Sequence, residues 1–365
     1  MIKNVKVYKN KLKIQFFDKR ECSFLNIWLR DHARDKDSWD KRSNQRKIFT
    51  AKLDPNLYIK NAKIRKDGKS IDILWSDENK IINYSSKFFI ENSINHKSKK
   101  SSFKLWTKNK VIKDKFIDFE EAVTDKGFKL FLNKLYQKGF VVVKNCKNNM
   151  SSVDKIAKKI GYLRNSIFGG LWSFESDKNM ADSAYTQEEL RPHTDSTYSN
   201  DAPGLQLLLC CKYKATGGES ILVDGFKIAE KIKKEKKDLY NILTSFEVTG
   251  QYIGDGVFLE AKRPVLKLNK ENNLIQVSFN NYDRAIFNEN NKKTKKFYDA
   301  IREFDLIANN KDYQWRHILK PGELLIFNNW RVLHGRGSFK GNRKIFGCYI
   351  NKEDFDSCCR VNNLI

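Results

Sequence analysis

The chain has 365 residues, 40% of them hydrophobic and 13% aromatic, which supplies a sizeable core and excludes a globally disordered polymer. Its length exceeds one typical domain and suggests a large domain with a smaller companion. Seventy Lys and Arg against 44 Asp and Glu give a formal charge of +26, so an anionic partner has to be weighed. Lysines are scattered along the whole chain, and Arg, the residue favoured for phosphate and base readout, is much scarcer. A lysine-rich solvated surface is therefore preferred over a nucleic-acid partner.

The first residues, Met1 to Val5, carry neither an apolar signal core nor transit character. From 1 to 95 short alternating runs separated by turns, such as Lys13–Phe17 and Ile71–Trp75, predict a small β-rich domain. A polar stretch, Asn95–Ser102, opens an expected linker over 96–117, and residues 118–365 form the expected larger domain. There, apolar spacing predicts a helix over 125–136 stopped by Gly139, a buried strand at Phe140–Val143, and a second helix over 152–161. Core strands are expected at 204–210, 220–224, 323–327 and 344–349, with helices over 226–243 and from an N-cap at Thr294 to Ile307. Gly341 is read as the turn that brings Arg343 back toward the rest of the site. No apolar run approaches the roughly 20 residues that cross a bilayer, so no membrane partner is expected. The seven cysteines form no C-x-x-C pair, which suits reduced thiols and a cytoplasmic setting.

One stretch organises these elements: Arg191-Pro192-His193-Thr194-Asp195-Ser196, with a distant partner in Asn329-Trp330-Arg331-Val332-Leu333-His334-Gly335-Arg336. In a strand, residues i and i+2 point the same way, so His193 and Asp195 reach a common point. Two imidazoles and one carboxylate on one face of a metal leave three positions open, the facial triad of non-haem Fe(II) oxygenases. The plainer alternative is a turn histidine with Asp195 as a capping residue. Arg343, nine positions after His334, supplies a guanidinium for the distal carboxylate of a 2-oxo acid.

These motifs, with Trp28–His32, Asp182–Thr186, Asn280–Ala285 and Gly347-Cys348-Tyr349, resemble the Fe(II)/2-oxoglutarate oxygenases of carnitine biosynthesis, the trimethyllysine and γ-butyrobetaine dioxygenases. The resemblance runs over nearly the whole chain and leans toward the trimethyllysine branch. It implies a mainly β fold with α elaboration (α+β), a double-stranded β-helix of jelly-roll type. It also implies Fe(II) held by His193, Asp195 and His334, 2-oxoglutarate anchored by Arg343 and flanked by Leu208 and Asp182, O2 as oxidant, and ascorbate as reductant. Phe168, Trp172, Tyr185 and Tyr349 match an aromatic cage for a trimethylammonium group, and Asn281 and Tyr282 match positions for the polar head of the substrate. Each of these rings reads equally as core, and Asp182 reads equally as a cap before Tyr185. Phe168 departs from the family's tyrosine, which keeps the π face and loses the hydroxyl.

Relatives often carry a structural zinc in the N-terminal domain. Here residues 33–38 contain no cysteine and Asn79 stands where a histidine belongs, so no zinc is expected. His32 and His96 then read as surface or hydrogen-bonded histidines. The implied substrate is a small quaternary amine, Nε-trimethyllysine first and γ-butyrobetaine next, and a homodimer is expected by analogy. The rival reading is a basic nucleic-acid-binding module without chemistry.

Overall fold

Alternating strands in the first hundred residues build two three-stranded antiparallel sheets. One is Ile2–Val7, Lys11–Phe16 and Glu21–Leu25; the other is Ile59–Ile64, Ser70–Trp75 and Ile81–Ser85. The inward residues Leu12, Ile14, Ile71, Ile73 and Trp75 are fully buried in a single apolar core. The pair Trp28 and His32 sits on and just past a short helix, Asn26–Asp31. There His32 stacks on Trp28 and places Nδ1 2.8 Å from its carbonyl oxygen. The chain divides into two compact units, Met1–Lys100 and Ser101–Ile365. This computed structural model describes residues 1–77, 79–93, 103–110, 115–175, 187–254 and 256–365, so His96 and half of the segment read as a linker, 96–102 and 111–114, lie outside the described residues. Within the described part of that segment Trp106 and Ile117 are buried, while Lys108–Lys110 are exposed. Trp106 is 3% exposed, donating its backbone N–H to Asp224 Oδ2 at 3.1 Å and its Nε1–H to the Lys138 carbonyl at 2.7 Å.

The second unit holds two sheets. The larger runs Leu163–Arg164, Phe339–Ile350, Leu205–Gly217, Leu324–Asn328, Phe140–Lys144 and Phe116–Asp118, with Leu171–Glu175 also paired to Phe339–Ile350. The smaller runs Leu190–His193, Val332–Arg336, Ser220–Asp224 and Gln314–His317. Phe140–Val143 reads as an unbroken apolar run because both of its faces are covered. Phe140 and Val142 join Leu222, Trp315 and Val332 of the smaller sheet in a shared interior, whereas Val141 and Val143 face the helices Asp125–Lys138 and Met150–Ile160. Val223 and Leu333 on the other sheet pack beneath Gly225–Glu235, Lys237–Ser245 and Asn291–Asn309. Two curled sheets around one apolar interior, with helices outside, make the double-stranded β-helix. No helix of the described residues is long and apolar enough to cross a membrane.

Local differences from the sequence reading have local causes. The expected helix over 226–243 is two, broken at Lys236, whose φ of −142° is not helical. The last long helix starts earlier than expected, because Asn290 and not Thr294 caps it, accepting from Lys293 N at 3.0 Å. Gly341 is no turn: it lies inside the strand Phe339–Ile350 at φ +112°, where a Cβ would meet the Lys214 carbonyl oxygen at 2.4 Å. Gly139 does stop its helix, in the left-handed region at φ +80°.

Candidate active site

His193 is the last residue of its strand and stands directly opposite His334 in the antiparallel ladder. Asp195 lies beyond the strand, so its orientation comes from side-chain anchors rather than from the pleat. Thr194 is drawn inward by Phe279, whose N–H donates to Thr194 Oγ1 at 2.9 Å while Thr194 N donates to the Phe279 carbonyl at 2.7 Å. Asn329 then clamps the Asp195 backbone: its Oδ1 accepts from Asp195 N at 2.8 Å and its Nδ2 donates to the Asp195 carbonyl at 3.1 Å. Ser196, at φ +56°, turns the chain away.

The carboxylate is thereby aimed at both imidazoles, with Asp195 Oδ1 3.4 Å from His193 Nε2 and 3.4 Å from His334 Nε2. The other oxygen, Oδ2, accepts from the Tyr349 hydroxyl at 2.8 Å. His193 Nδ1 lies 2.8 Å from the Arg191 carbonyl, an obligate acceptor, so Nδ1 carries the hydrogen and Nε2 faces the carboxylate. Burial opposes charge on all three groups. For His193, Asp195 and the Arg191 carbonyl outweigh that effect and raise its pKa, while for His334 burial prevails and lowers it. Burial likewise pushes the Asp195 carboxyl upward, but the two imidazoles hold it well below the usual carboxylate range. The donor atoms of His193, Asp195 and His334 lie within 4.8 Å of one another, a donor set of two imidazole nitrogens and one carboxylate oxygen that fits Fe(II) or Mn(II).

A cavity of about 150 Å³ opens over this group. Leu208, Arg343 and Ile345 of the larger sheet and Arg336 of the smaller line it. Burial pushes both guanidinium groups down, Arg336 to about 10 with mutual repulsion from Arg343 adding to the effect. Among the described residues Arg343, 9% exposed, has no acidic partner. Six further rings line the cavity: Phe168 and Phe174, 5.4 Å apart between centroids, Tyr198 and Tyr252, 5.3 Å apart, Tyr282, 5.7 Å from the His193 ring, and Tyr349.

Several residues singled out in the sequence fall in this cavity and others do not. Phe168, Tyr349, Tyr282, Leu208 and Arg343 line it. Trp172 does not. It is 4% exposed and packs against the lining rings, 5.5 Å from Tyr349 and 4.5 Å from Phe174, over Gly347, where any Cβ would sit 2.1 Å from the indole. Asn281 faces a second cavity on the far side of Tyr282, and it is Asn280 that faces the metal-binding group. Asp182 and Tyr185 lie outside the described residues. Sequence reasoning missed Phe174, two positions along the strand from Trp172, and Asn329, five before His334 in the same motif.

Residues 108–349 match the model of the taurine catabolism dioxygenase TauD, TfdA family, and residues 3–89 match a γ-butyrobetaine hydroxylase-like N-terminal model. The chain is 32% identical to the protein of Homo sapiens named trimethyllysine dioxygenase, mitochondrial, over 93% of this chain and 83% of that one. It is 28% identical to the γ-butyrobetaine dioxygenase of Homo sapiens over 92% of this chain and 88% of that one. In fold it is similar to an asparagine oxygenase solved with Fe(II), 2S,3S-3-hydroxyasparagine and succinate, at a TM-score of 0.50 and 15% identity over 62% of this chain and 80% of that one. Matched by that family model across both sheets, and carrying two imidazoles and a carboxylate around one point, the chain belongs to the TauD/TfdA family of Fe(II)- and 2-oxoglutarate-dependent dioxygenases.

Proposed function

We propose that this dioxygenase hydroxylates a small trimethylammonium compound, Nε-trimethyllysine to 3-hydroxy-trimethyllysine. In this reading His193, Asp195 and His334 hold the iron, and Arg343 receives the far carboxylate of 2-oxoglutarate with Leu208 against its carbon chain. Iron, 2-oxoglutarate and O2 together supply oxidative decarboxylation to succinate and CO2 and the oxidising power for hydroxylation. The chain's own part is placement. A quaternary ammonium has no N–H to donate, so it is recognised by ring faces and by exclusion of water. Phe168, Phe174 and Tyr349 offer such faces beside the triad, and Tyr198, Tyr252 and Tyr282 of the same cavity are suited to the polar end of the substrate. Holding both ends leaves one carbon over the metal position.

The observation that carries the reading is the set of aromatic rings lining the cavity over the His193–Asp195–His334 group, with a buried guanidinium lining the same cavity. The 32% relative supports trimethyllysine as the first substrate, while the match of residues 3–89 favours γ-butyrobetaine as the second. Ascorbate as reductant, a homodimer and a cytoplasmic location belong to the same proposal. Seven free cysteines support a reducing compartment, although the human relative is named mitochondrial. The test is to incubate the iron-loaded protein with ascorbate, 2-oxoglutarate and each amine, following succinate. Succinate should rise with trimethyllysine, and formation at the same rate without any trimethylated amine would remove the substrate assignment.

A further inference from the structure

A second cavity, of about 280 Å³, shares His193 and Tyr282 with the metal-binding cavity as a common wall. Three guanidinium groups line it, Arg191, Arg284 and Arg302, against one carboxylate, Asp305. Three positive charges less one negative leave an excess of two. Arg191 is engaged, donating to Asp305 at 2.8 Å and to Asn309 Oδ1 at 3.2 Å. Arg284 lies over the ring faces of Phe297 and Tyr298, 5.9 and 5.8 Å from their centroids, so its N–H groups keep their donor capacity. Among the described residues neither Arg284 nor Arg302 has an acidic partner.

Positive charge alone says little on a surface rich in lysine. This cavity differs in having arginine and no lysine in its lining, and arginine presents a planar fork that matches carboxylate geometry. The Asn281 amide adds a neutral donor, and Pro192, Phe279 and Ile301 give an apolar surface that suits a carbon skeleton rather than a bare inorganic ion. We propose that this cavity binds a small organic di- or tricarboxylate, at a site separate from the Arg343 cavity. Arg191 would relay occupancy inward, since its carbonyl accepts from His193 and its N–H donates to the Tyr282 hydroxyl at 3.1 Å.

Citrate, succinate and inorganic phosphate serve as probes, titrated by calorimetry into metal-free full-length protein so that chelation does not contribute. An Arg343→Met background removes the guanidinium that receives a carboxylate in the other cavity. Citrate should still bind in that background, at least tenfold more tightly than phosphate. Each lost guanidinium is expected to weaken it roughly tenfold, so adding Arg284→Gln with Arg302→Gln should weaken it about 100-fold. Arg302→Glu alone, at an exposed position, gives an independent variant and should cost at least about tenfold. No citrate binding in the Arg343→Met protein, or binding unchanged by the Arg284 and Arg302 substitutions, overturns the site. Phosphate binding as tightly as citrate overturns the organic ligand.

Discussion

Tyr349→Phe separates two roles that one side chain could serve. The substitution keeps the ring in the cavity lining and deletes only the hydroxyl, which donates to Asp195 Oδ2 at 2.8 Å. Tyr349 is 2% exposed, so water does not simply replace the donor. A hydrogen bond to a charged acceptor contributes about 1.5–3 kcal/mol, and 1.4 kcal/mol is a factor of ten. The expected loss in metal affinity is therefore roughly 10- to 100-fold, the range found for partners that orient a metal ligand. Titrating Mn(II) into the metal-free variant and wild type measures it, with quaternary-amine binding measured in parallel at saturating metal. Weakened metal binding with near-normal amine affinity is the predicted pattern. Wild-type metal affinity would show that the hydroxyl does not orient the carboxylate.

Asn329→Ala removes three hydrogen bonds, to Asp195 N, to the Asp195 carbonyl and to the Pro203 carbonyl, at a residue 1% exposed. It should cost about 2–5 kcal/mol in urea denaturation even without metal, because buried partners lose their bonds. Arg331→Met breaks a pair with Asp224 whose side chains are 1% and 0% exposed, leaving a buried carboxylate uncompensated. A loss of about 3–5 kcal/mol, seen as low soluble yield or an early denaturation midpoint, is expected. Mn(II) at about 100 times its Kd should stabilise the wild type by roughly 2.7 kcal/mol in thermal melts, and His193→Ala should abolish that gain.

The sequence exposes whatever depends on period. Alternation at Lys11–Phe16 and Ser70–Trp75 marks half-buried strands, whereas the strand ends at His193 and the Asn329 clamp, not the pleat, sets the direction of Asp195. The features that were missed have no period. Trp172 and Phe174 share one face of one strand, and only the gap above Gly347 decides that the indole fills the back while Phe174 reaches the cavity. Asn280 and Asn281 lie in an irregular segment, where adjacent side chains give no clue to their direction. The Asn329 clamp joins positions 134 residues apart and needs the folded topology to be seen.

His193 and His334 occupy facing positions on neighbouring strands, and the His193 strand forms the edge of its sheet. An ion gripped by both side chains would act as a crosslink across that edge, fastening the outermost strand at its terminal residue. Chelation should then speed amide exchange at Leu190 and His193 ahead of any other part of the small sheet. In an iron-poor cell, unladen enzyme would fray first at the very strand that must be in place to recruit the metal.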